Sequence, residues 1–414
     1  MGIAYFTCSV CGSTYSSNEV QYTCPRDGAN LDVHCDFETA ETKPSIESIL
    51  LSSEQSIWRY APLLPVPDPG FIYTPLHQVG MTPVYQPENL RQQLGLQQLW
   101  IKDESRNPSA SFKDRASAVV VARALQTKEE VIIAASTGNA GAATACMAAS
   151  VGMHAIILAP RTAPPAKIAQ LLVFGAQVIL VDGNYDQAFD LSITASQTFG
   201  WYNRNTGYNP FTAEGKKTAA FEIWEQVLRK LDPSAPPLNI YIPVGDGNII
   251  SGVYKGFQDL RSLGWIEHLP RLIGVQAEGS AAIANAFLAG KDTVEPVHAV
   301  TIADSINVDL PRDGFRALRA VRETHGTYIK VSDEEILQSI PTLGKVGIFV
   351  EPAAAAAYAG LVKALETCQQ GSSAPVLVLC TGSGLKDINA AIRSVPAAPV
   401  IEPTIQALKK VIYG

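Results

Sequence analysis

The 414-residue chain has 32 lysines and arginines against 39 aspartates and glutamates, a formal net charge of −7, with 47% hydrophobic and 17% charged residues. This composition is typical of a globular protein with a large core, and the length predicts two or three domains. The acidic balance argues against a nucleic-acid binder. No apolar run reaches the ~20 residues of a membrane span and the first residues do not resemble a signal peptide, so we expect no membrane contact and a cytoplasmic location.

The first segment in chain order is a cysteine-containing module. The turn CSVCG carries a C-x-x-C pair, and a second turn, CPRDG, has an aspartate where its second cysteine would stand. Two such turns are a common way to hold tetrahedral zinc, which predicts a zinc-ribbon-like module. The predicted ligands are Cys8, Cys11 and Cys24, with Asp27 or Cys35 as the fourth. A ribbon that keeps its shape without metal is the alternative.

Beyond a proline-rich connector, short apolar runs rich in β-branched residues alternate with helical patterns. The runs predict strands at 99–102, 131–136, 155–160, 177–182, 239–244, 272–277 and 375–382. The clearest helical patterns are at 114–125, 140–152 and 214–231. This alternation predicts an α/β fold with parallel sheets covered by helices, whose ligands bind beyond the carboxyl ends of the strands.

Lys113 follows the strand at 99–102 and lies in the first turn of the next predicted helix, for which Ser109 and Ser111 are candidate N-caps. The helix dipole disfavours a cation there and lowers its pKa, which helps to supply the neutral amine that imine chemistry needs. The alternative is an exposed lysine paired with Asp114.

Three further loops follow strand ends. The alternative is an ordinary helix cap for the first loop and an ordinary tight turn for the other two. The first offers hydroxyls and free N–H groups to an anion such as a substrate carboxylate, at Ser136, Thr137, Gly138 and Asn139. The second is a glycine-rich cup for a phosphate, at Gly245, Asp246, Gly247, Asn248 and Ile249. The third carries Thr381, whose hydroxyl can hydrogen-bond a ring nitrogen.

Taken in order, these motifs resemble the fold-type II pyridoxal-phosphate enzymes of the tryptophan synthase β family, and within it the threonine synthase subgroup. The matching motifs are S-F-K-D-R at 111–115, S-T-G-N at 136–139, P-V-G-D-G-N at 243–248, E-P-A at 351–353 and T-G-S-G-L-K-D at 381–387. The turn G-M-T-P at 80–83 and the cysteine ribbon are also similar to this subgroup. The resemblance covers most of residues 75–395.

The resemblance implies a role for each motif. Lys113 would bind pyridoxal 5′-phosphate covalently and act as general base and acid. Asn139 would hydrogen-bond the ring hydroxyl, and residues 136–139 would take the substrate carboxylate. Residues 245–249 would bind the cofactor phosphate through backbone N–H groups. Thr381 would face the pyridine nitrogen, where a neutral hydroxyl suits replacement or elimination at an amino acid.

The resemblance also implies an organisation of two parallel-sheet domains and a homodimer. The expected segments are a ribbon at 1–38, a connector at 39–75, a large cofactor-binding domain at 76–117 and 223–400, a small mobile domain at 118–222 and a tail at 401–414. The expected reaction is β,γ-replacement on O-phospho-L-homoserine, a small-molecule substrate.

The substrate phosphate needs a cationic site of its own. Thr212 stands where related chains have an arginine, so Arg204 and Lys216 are the candidates to replace it. The departure leaves other reactions of the family open: a cysteate-synthase-like replacement on phosphoserine, or an elimination from threonine or serine. A non-catalytic relative that acts as a binding scaffold is the alternative of another class, although it would need neither the lysine nor the loops.

Overall fold

The computed structural model describes residues 3–37, 43–163 and 165–413. Residues 1, 2 and 38 of the predicted ribbon, residues 39–42 of the predicted connector, residue 164 of the predicted small domain and residue 414 of the tail lie outside this part. The strands are β1 (Ile3–Cys8), β2 (Thr14–Tyr15), β3 (Leu31–Cys35), β4 (Val84–Tyr85), β5 (Leu99–Asp103), β6 (Val131–Ala135), β7 (His154–Pro160), β8 (Gln177–Val181), β9 (Tyr202–Asn203), β10 (Asn239–Pro243), β11 (Arg271–Ala277), β12 (Thr327–Val331) and β13 (Val376–Cys380).

The α-helices are α1 (Ile46–Leu50), α2 (Glu88–Gln93), α3 (Lys113–Gln126), α4 (Asn139–Ala149), α5 (Pro165–Val173), α6 (Tyr185–Phe199), α7 (Phe211–Lys216), α8 (Thr218–Gln226), α9 (Asn248–Ser262), α10 (Ala282–Leu288), α11 (Gly314–Glu323), α12 (Asp333–Gly344), α13 (Pro352–Glu366), α14 (Ile388–Arg393) and α15 (Ile405–Tyr413). None of the helices in the described part of the chain is both long and apolar enough to cross a bilayer.

The largest sheet has the strand order β12-β11-β10-β13-β5-β4, and its pairs are parallel except β4 with β5. Helices cover both faces of this sheet. Because successive side chains of a strand point to opposite faces, alternate residues of each strand enter opposite cores. Ile240 and Ile242 of β10 pack into one core and Tyr241 into the other. All seven predicted strands are present, and the predicted α/β class is confirmed.

The second sheet has the order β8-β7-β6-β9, with all pairs parallel. Its strand β6 also faces two cores, with Ile132 in one and Ile133 in the other. Three strands of these two sheets were not predicted from the sequence. The strands β4 and β9 have two residues each, and in β12, which reads TYIKV, a threonine and a lysine interrupt the apolar run.

The third sheet is the N-terminal ribbon, three antiparallel strands in the order β2-β1-β3. It packs against the second sheet, since Phe6 and Val33 share a core with Val119 and Ile132. The prediction left Cys35 open as a fourth metal ligand, and the structure contradicts it. Cys35 pairs with Ile3, whereas Leu31 pairs with Cys8. Cys35 therefore lies four residues along β3 from the position opposite Cys8, a distance of roughly 14 Å.

The helix predicted at 214–231 is two helices, α7 and α8, which meet at Lys217. At this point the backbone tightens, and Ala220 N–H donates to the carbonyl three residues back, Lys217 O, at 3.0 Å. The helix α7 also begins earlier than predicted, at Phe211 after Pro210. The helix α8 ends at Gln226, where Val227 leaves helical geometry.

Candidate active site

The carboxyl ends of three neighbouring strands bring three of the predicted loops to one cavity. The strands β5, β13 and β10 lie side by side, and the chain beyond them leads to Lys113, Thr381 and Gly245. The cavity has a volume of about 430 Å³. The predicted site residues that line it are Lys113, Ser136, Thr137, Gly138, Asn139, Lys216, Gly245, Asp246, Gly247, Asn248, Ile249 and Thr381.

Lys113 is the first residue of α3, as the sequence predicted, but the helix is not capped as expected. Ser109 does not cap the helix, and the side chain of Ser111 is buried with no hydrogen-bond partner among the described residues. The start of α3 is held instead by Phe112 N–H, which donates to Thr381 O at 2.8 Å. The expected alternative, a pair between Lys113 and Asp114, is absent from the described residues, because Asp114 accepts from Ser109 N–H at 2.6 Å.

Burial lowers the pKa of Lys113, with the nearby cation Arg204 acting in the same direction and Glu351 opposing them. The first turn of a helix disfavours a positive charge as well. Both effects enlarge the fraction of neutral amine, the form that can attack a carbonyl carbon or accept a proton.

The glycines of the predicted cup leave no room for a side chain. A Cβ on Gly245 would lie 2.7 Å from the Cα of Ile306. Gly247 has a φ of +96°, and a Cβ on it would lie 2.8 Å from Asp313 O. The helix α9 starts at Asn248, directly after this turn, so its free N–H groups point toward the cup. The arrangement suits a phosphate held by backbone donors.

Side chains surround the cup with charge and hydrogen bonds. Lys216 Nζ donates to Asn248 Oδ1 at 2.6 Å, and Asn248 Nδ2 donates to Asp313 Oδ2 at 2.7 Å. Asp246 accepts from Arg312 N–H at 2.6 Å, while its other carboxylate oxygen is buried without a partner among the described residues. Burial raises the pKa of Asp246 to about 6. Lys216, which the sequence analysis predicted to bind the substrate, thus lies beside the glycine cup.

Asn139 is held by a carboxylate to which the sequence analysis gave no role. Glu351 accepts from Asn139 Nδ2 at 2.9 Å and 3.1 Å and from Ser305 Oγ at 3.3 Å. Burial raises the pKa of Glu351, and Lys113 opposes that shift. The signal in the sequence was the E-P-A motif itself, in which a glutamate precedes the proline that starts α13.

Arg204 is fully buried near this cavity but is not among the residues that line it. Its Nη1 donates to Thr206 Oγ1 at 2.7 Å, and Thr206 does line the cavity. Its Nε donates to Ser117 Oγ at 3.1 Å, and its Nη2 has no partner among the described residues. Burial without a carboxylate partner lowers the pKa of Arg204 to about 10. A buried guanidinium in this state is suited to binding an anion.

Comparison with known proteins shows the family of this chain. Residues 76–382 match the family described as "Pyridoxal-phosphate dependent enzyme". The chain belongs to this family. Threonine synthase of Methanocaldococcus jannaschii is 38% identical over 98% of this chain and 98% of its own. Threonine synthase of Methanosarcina acetivorans is 37% identical over 99% of each chain.

Solved structures of other proteins share the fold. Diaminopropionate ammonia lyase from Escherichia coli superposes with a TM-score of 0.66 at 21% identity, covering 78% of this chain and 90% of its own. Maize serine racemase superposes with a TM-score of 0.63 at 24% identity, covering 76% and 91%. The match confirms the fold-type II architecture.

The residues of the cavity fit the cofactor that gives the family its name. Lys113, whose pKa is lowered, lines the same cavity as a cup whose glycines leave room only for backbone N–H donors. Thr381 lies at the end of the neighbouring strand. Buried polar atoms without a partner among the described residues lie nearby on Ser111, Arg204 and Asp246. Unpaired buried polar groups are costly, so their concentration here favours a bound polar group.

Proposed function

We propose that the protein is a threonine synthase, which converts O-phospho-L-homoserine and water to L-threonine and phosphate with pyridoxal 5′-phosphate. The observation that carries the proposal is the similarity to two archaeal threonine synthases over 98% and 99% of this chain. The similarity therefore includes the ribbon and the connector as well as the 76–382 region that defines the family.

The bound cofactor supplies an electron sink for the charge that develops when a proton leaves the substrate Cα. The chain supplies the rest. Lys113 Nζ is the group placed to bind the cofactor covalently and to take and return protons at the substrate carbons. The hydroxyls and N–H groups of Ser136, Thr137 and Gly138 bind the substrate carboxylate, and Asn139 orients the cofactor ring while Glu351 holds its amide.

The proposed reaction brings two phosphate groups into one site, and we consider two cationic side chains for them: Lys216, which lines the cavity, and Arg204, which lies behind Thr206. Lys216 lies against the cup at Asn248, next to the backbone donors that suit the cofactor phosphate. Arg204 has a free donor and no carboxylate partner among the described residues. We assign Arg204 to the substrate phosphate, which would enter past Thr206.

The same proposal includes a small mobile domain at 118–222, a homodimer and a cytoplasmic location. The small domain would contain the second sheet and the 136–139 loop, so its closure would carry the carboxylate site toward Lys113 and exclude water. The proposed boundary at 222 falls within α8, which packs against α9. The domain at 76–117 and 223–400 would hold the cup.

Turnover of O-phospho-L-homoserine by the cofactor-loaded protein tests the function. We expect threonine and inorganic phosphate to appear in equal amounts, measured by amino-acid analysis and a phosphate assay. Phosphoserine with sulfite, threonine and serine are the comparison substrates. Turnover of one of these without turnover of O-phospho-L-homoserine would contradict the proposal and favour another reaction of the family.

Replacement of Arg204 by glutamine should raise the KM for O-phospho-L-homoserine by roughly 10- to 100-fold, the usual effect of losing a charged hydrogen bond. The partners left behind are the hydroxyls of Ser117 and Thr206, so no buried anion is stranded. Homoserine lacks the phosphate and serves as the matched ligand, and its inhibition constant should stay unchanged. Equal weakening of both ligands would contradict the assignment.

A further inference from the structure

The N-terminal ribbon contains two turns of the same geometry, at residues 8–13 and 24–29. In each turn the first N–H donates to the carbonyl five residues on, at 2.8 Å and 2.9 Å. The N–H of a glycine at the fifth position donates back to the first carbonyl, at 3.1 Å and 2.9 Å. These glycines, Gly12 and Gly28, have φ values of +71° and +72°. The turns are equivalent, position by position.

The equivalence places Asp27 where the first turn has Cys11. Four potential ligand atoms, from Cys8, Cys11, Cys24 and Asp27, lie within 4.8 Å of one another. Cys11 Sγ is 3.8 Å from Cys24 Sγ, and Cys8 Sγ is 3.4 Å from both carboxylate oxygens of Asp27. Tetrahedral zinc has Zn–S bonds of about 2.3 Å and Zn–O bonds of about 2.1 Å, so its ligand atoms are separated by about 3.8 Å for two sulfurs and about 3.6 Å for sulfur and oxygen.

A disulfide between these thiols does not account for the geometry. A disulfide needs a sulfur–sulfur distance of about 2.05 Å, far below the 3.8 Å between Cys11 and Cys24. Cys11 N–H points at Cys8 Sγ from 3.4 Å, a donor that stabilises a thiolate ligand. Cys8 and Cys24 are buried while Cys11 and Asp27 are exposed, so one side of the cluster is open to an entering ion.

We propose that the ribbon binds one zinc ion through Cys8, Cys11, Cys24 and Asp27, and that this ion fixes the neighbouring Asn30 as a support for the cofactor-phosphate cup. The second part rests on the proposed cofactor site. The zinc is structural, because four protein ligands leave no open coordination position.

Asn30 connects the two turns to the rest of the protein. It directly follows the second turn, and its carbonyl accepts from Ser9 N–H of the first turn at 3.0 Å. Its side-chain amide leaves the ribbon and donates to Asp313 Oδ1 at 2.7 Å and to Arg312 O at 3.0 Å. An ion that holds both turns therefore holds this asparagine.

Asp313 connects Asn30 to the glycine cup. Its second carboxylate oxygen accepts from Asn248 Nδ2 at 2.7 Å, and Asn248 is the first residue of α9. The carbonyl of Asp313 is also the atom that a Cβ on Gly247 would approach to 2.8 Å. Asp313 thus touches the ribbon on one side and the glycine cup on the other. Arg316 also holds both of its carboxylate oxygens, at 2.6 Å and 2.9 Å, so Asn30 contributes to the support of the cup beside this ion pair.

Metal analysis of the full-length protein, purified without chelator, tests the site. We expect about one equivalent of zinc in the unaltered protein and in Cys35→Ser, which changes a cysteine of the same ribbon outside the cluster. Cys11→Ser should lose the zinc, and because Cys11 is exposed the change leaves the core intact. Asp27→Cys should keep the zinc, since it completes a second C-x-x-C pair.

Less than 0.1 equivalent of zinc in the unaltered protein, or retention in Cys11→Ser equal to that in Cys35→Ser, would overturn the site. This measurement needs neither cofactor nor substrate. Failure of the zinc site and failure of the proposed function are therefore separate results.

Titration with pyridoxal 5′-phosphate tests whether Asn30 supports the cofactor-phosphate cup. Asn30→Ala should keep its zinc and lose roughly tenfold in affinity for the cofactor. Cys11→Ser should lose a similar factor, and the double variant should lose no more than either single one, because both act through the same contact. Unchanged cofactor affinity in Asn30→Ala, or additive losses in the double variant, would overturn the coupling.

Discussion

Replacement of Lys113 by alanine should abolish the covalent attachment of pyridoxal 5′-phosphate and lower turnover by roughly 10³-fold or more, the range expected when a nucleophile and general base are lost together. The protein should remain folded. Lys113 Nζ makes no hydrogen bond to another described residue, and alanine is a strong helix former at the start of α3. Borohydride reduction followed by peptide mass analysis locates the attachment, and circular dichroism checks the fold.

The matched control is the second lysine of the cavity. Lys216 also lines the pocket and is fully buried, yet its amine donates to Asn248 at the cup. Lys216→Ala should therefore still attach the cofactor at Lys113. At saturating cofactor, a reducible adduct in Lys113→Ala would show that Lys113 is not the point of attachment.

The position of Lys113 depends on its neighbour two residues along the helix. Arg115 is fully buried and forms ion pairs with Glu104 at 2.7 Å and with Glu222 at 2.6 Å. Glu222 also pairs with Lys102 at 2.7 Å. Breaking such a buried pair strands a charge, at a typical cost of ~3–5 kcal/mol, so the network holds the first turn of α3 in one place.

The parts of this site that could be predicted from the sequence are those formed by residues consecutive in the chain. The strands and the polar loops that follow them could be read directly, because apolar runs and turn residues are local signals. That Lys113, Thr381 and Gly245 meet could be expected from the rule for strand ends. The order that makes them neighbours, β10-β13-β5, joins segments far apart in the chain and came only from the structure.

The missed parts are contacts between distant segments. Asn30 and Asp313 lie far apart in sequence, and neither has a neighbouring pattern that marks it. The carboxylate of Glu351 reaches Asn139 across the cavity in the same way. The sequence also left the fourth ribbon ligand open, since spacing alone does not tell whether Asp27 or Cys35 lies near Cys8. The antiparallel register of β1 and β3 decides it.

Replacement of Gly247 by alanine should weaken cofactor binding at least tenfold, because the cup works by close approach of the backbone. The residue has a φ of +96°, and its new Cβ would lie 2.8 Å from Asp313 O and 2.9 Å from Ala317 Cβ. Neither neighbour is the far end of a flexible side chain, so the loop itself must shift. The measurement is the dissociation constant for pyridoxal 5′-phosphate, from the change in visible absorbance.

Gly264 provides the matched control just beyond the other end of the same helix. It has a φ of +73°, and a Cβ on it would have no other atom within 4 Å, so Gly264→Ala carries the left-handed backbone cost of ~1–2 kcal/mol without the clash. Gly264→Ala should therefore lose only this backbone cost in stability to denaturant, Gly247→Ala should lose more because of its added contacts, and only Gly247→Ala should lose cofactor affinity. Equal cofactor affinity in the two variants would show that the phosphate is not held by this turn, because strain alone would then account for both.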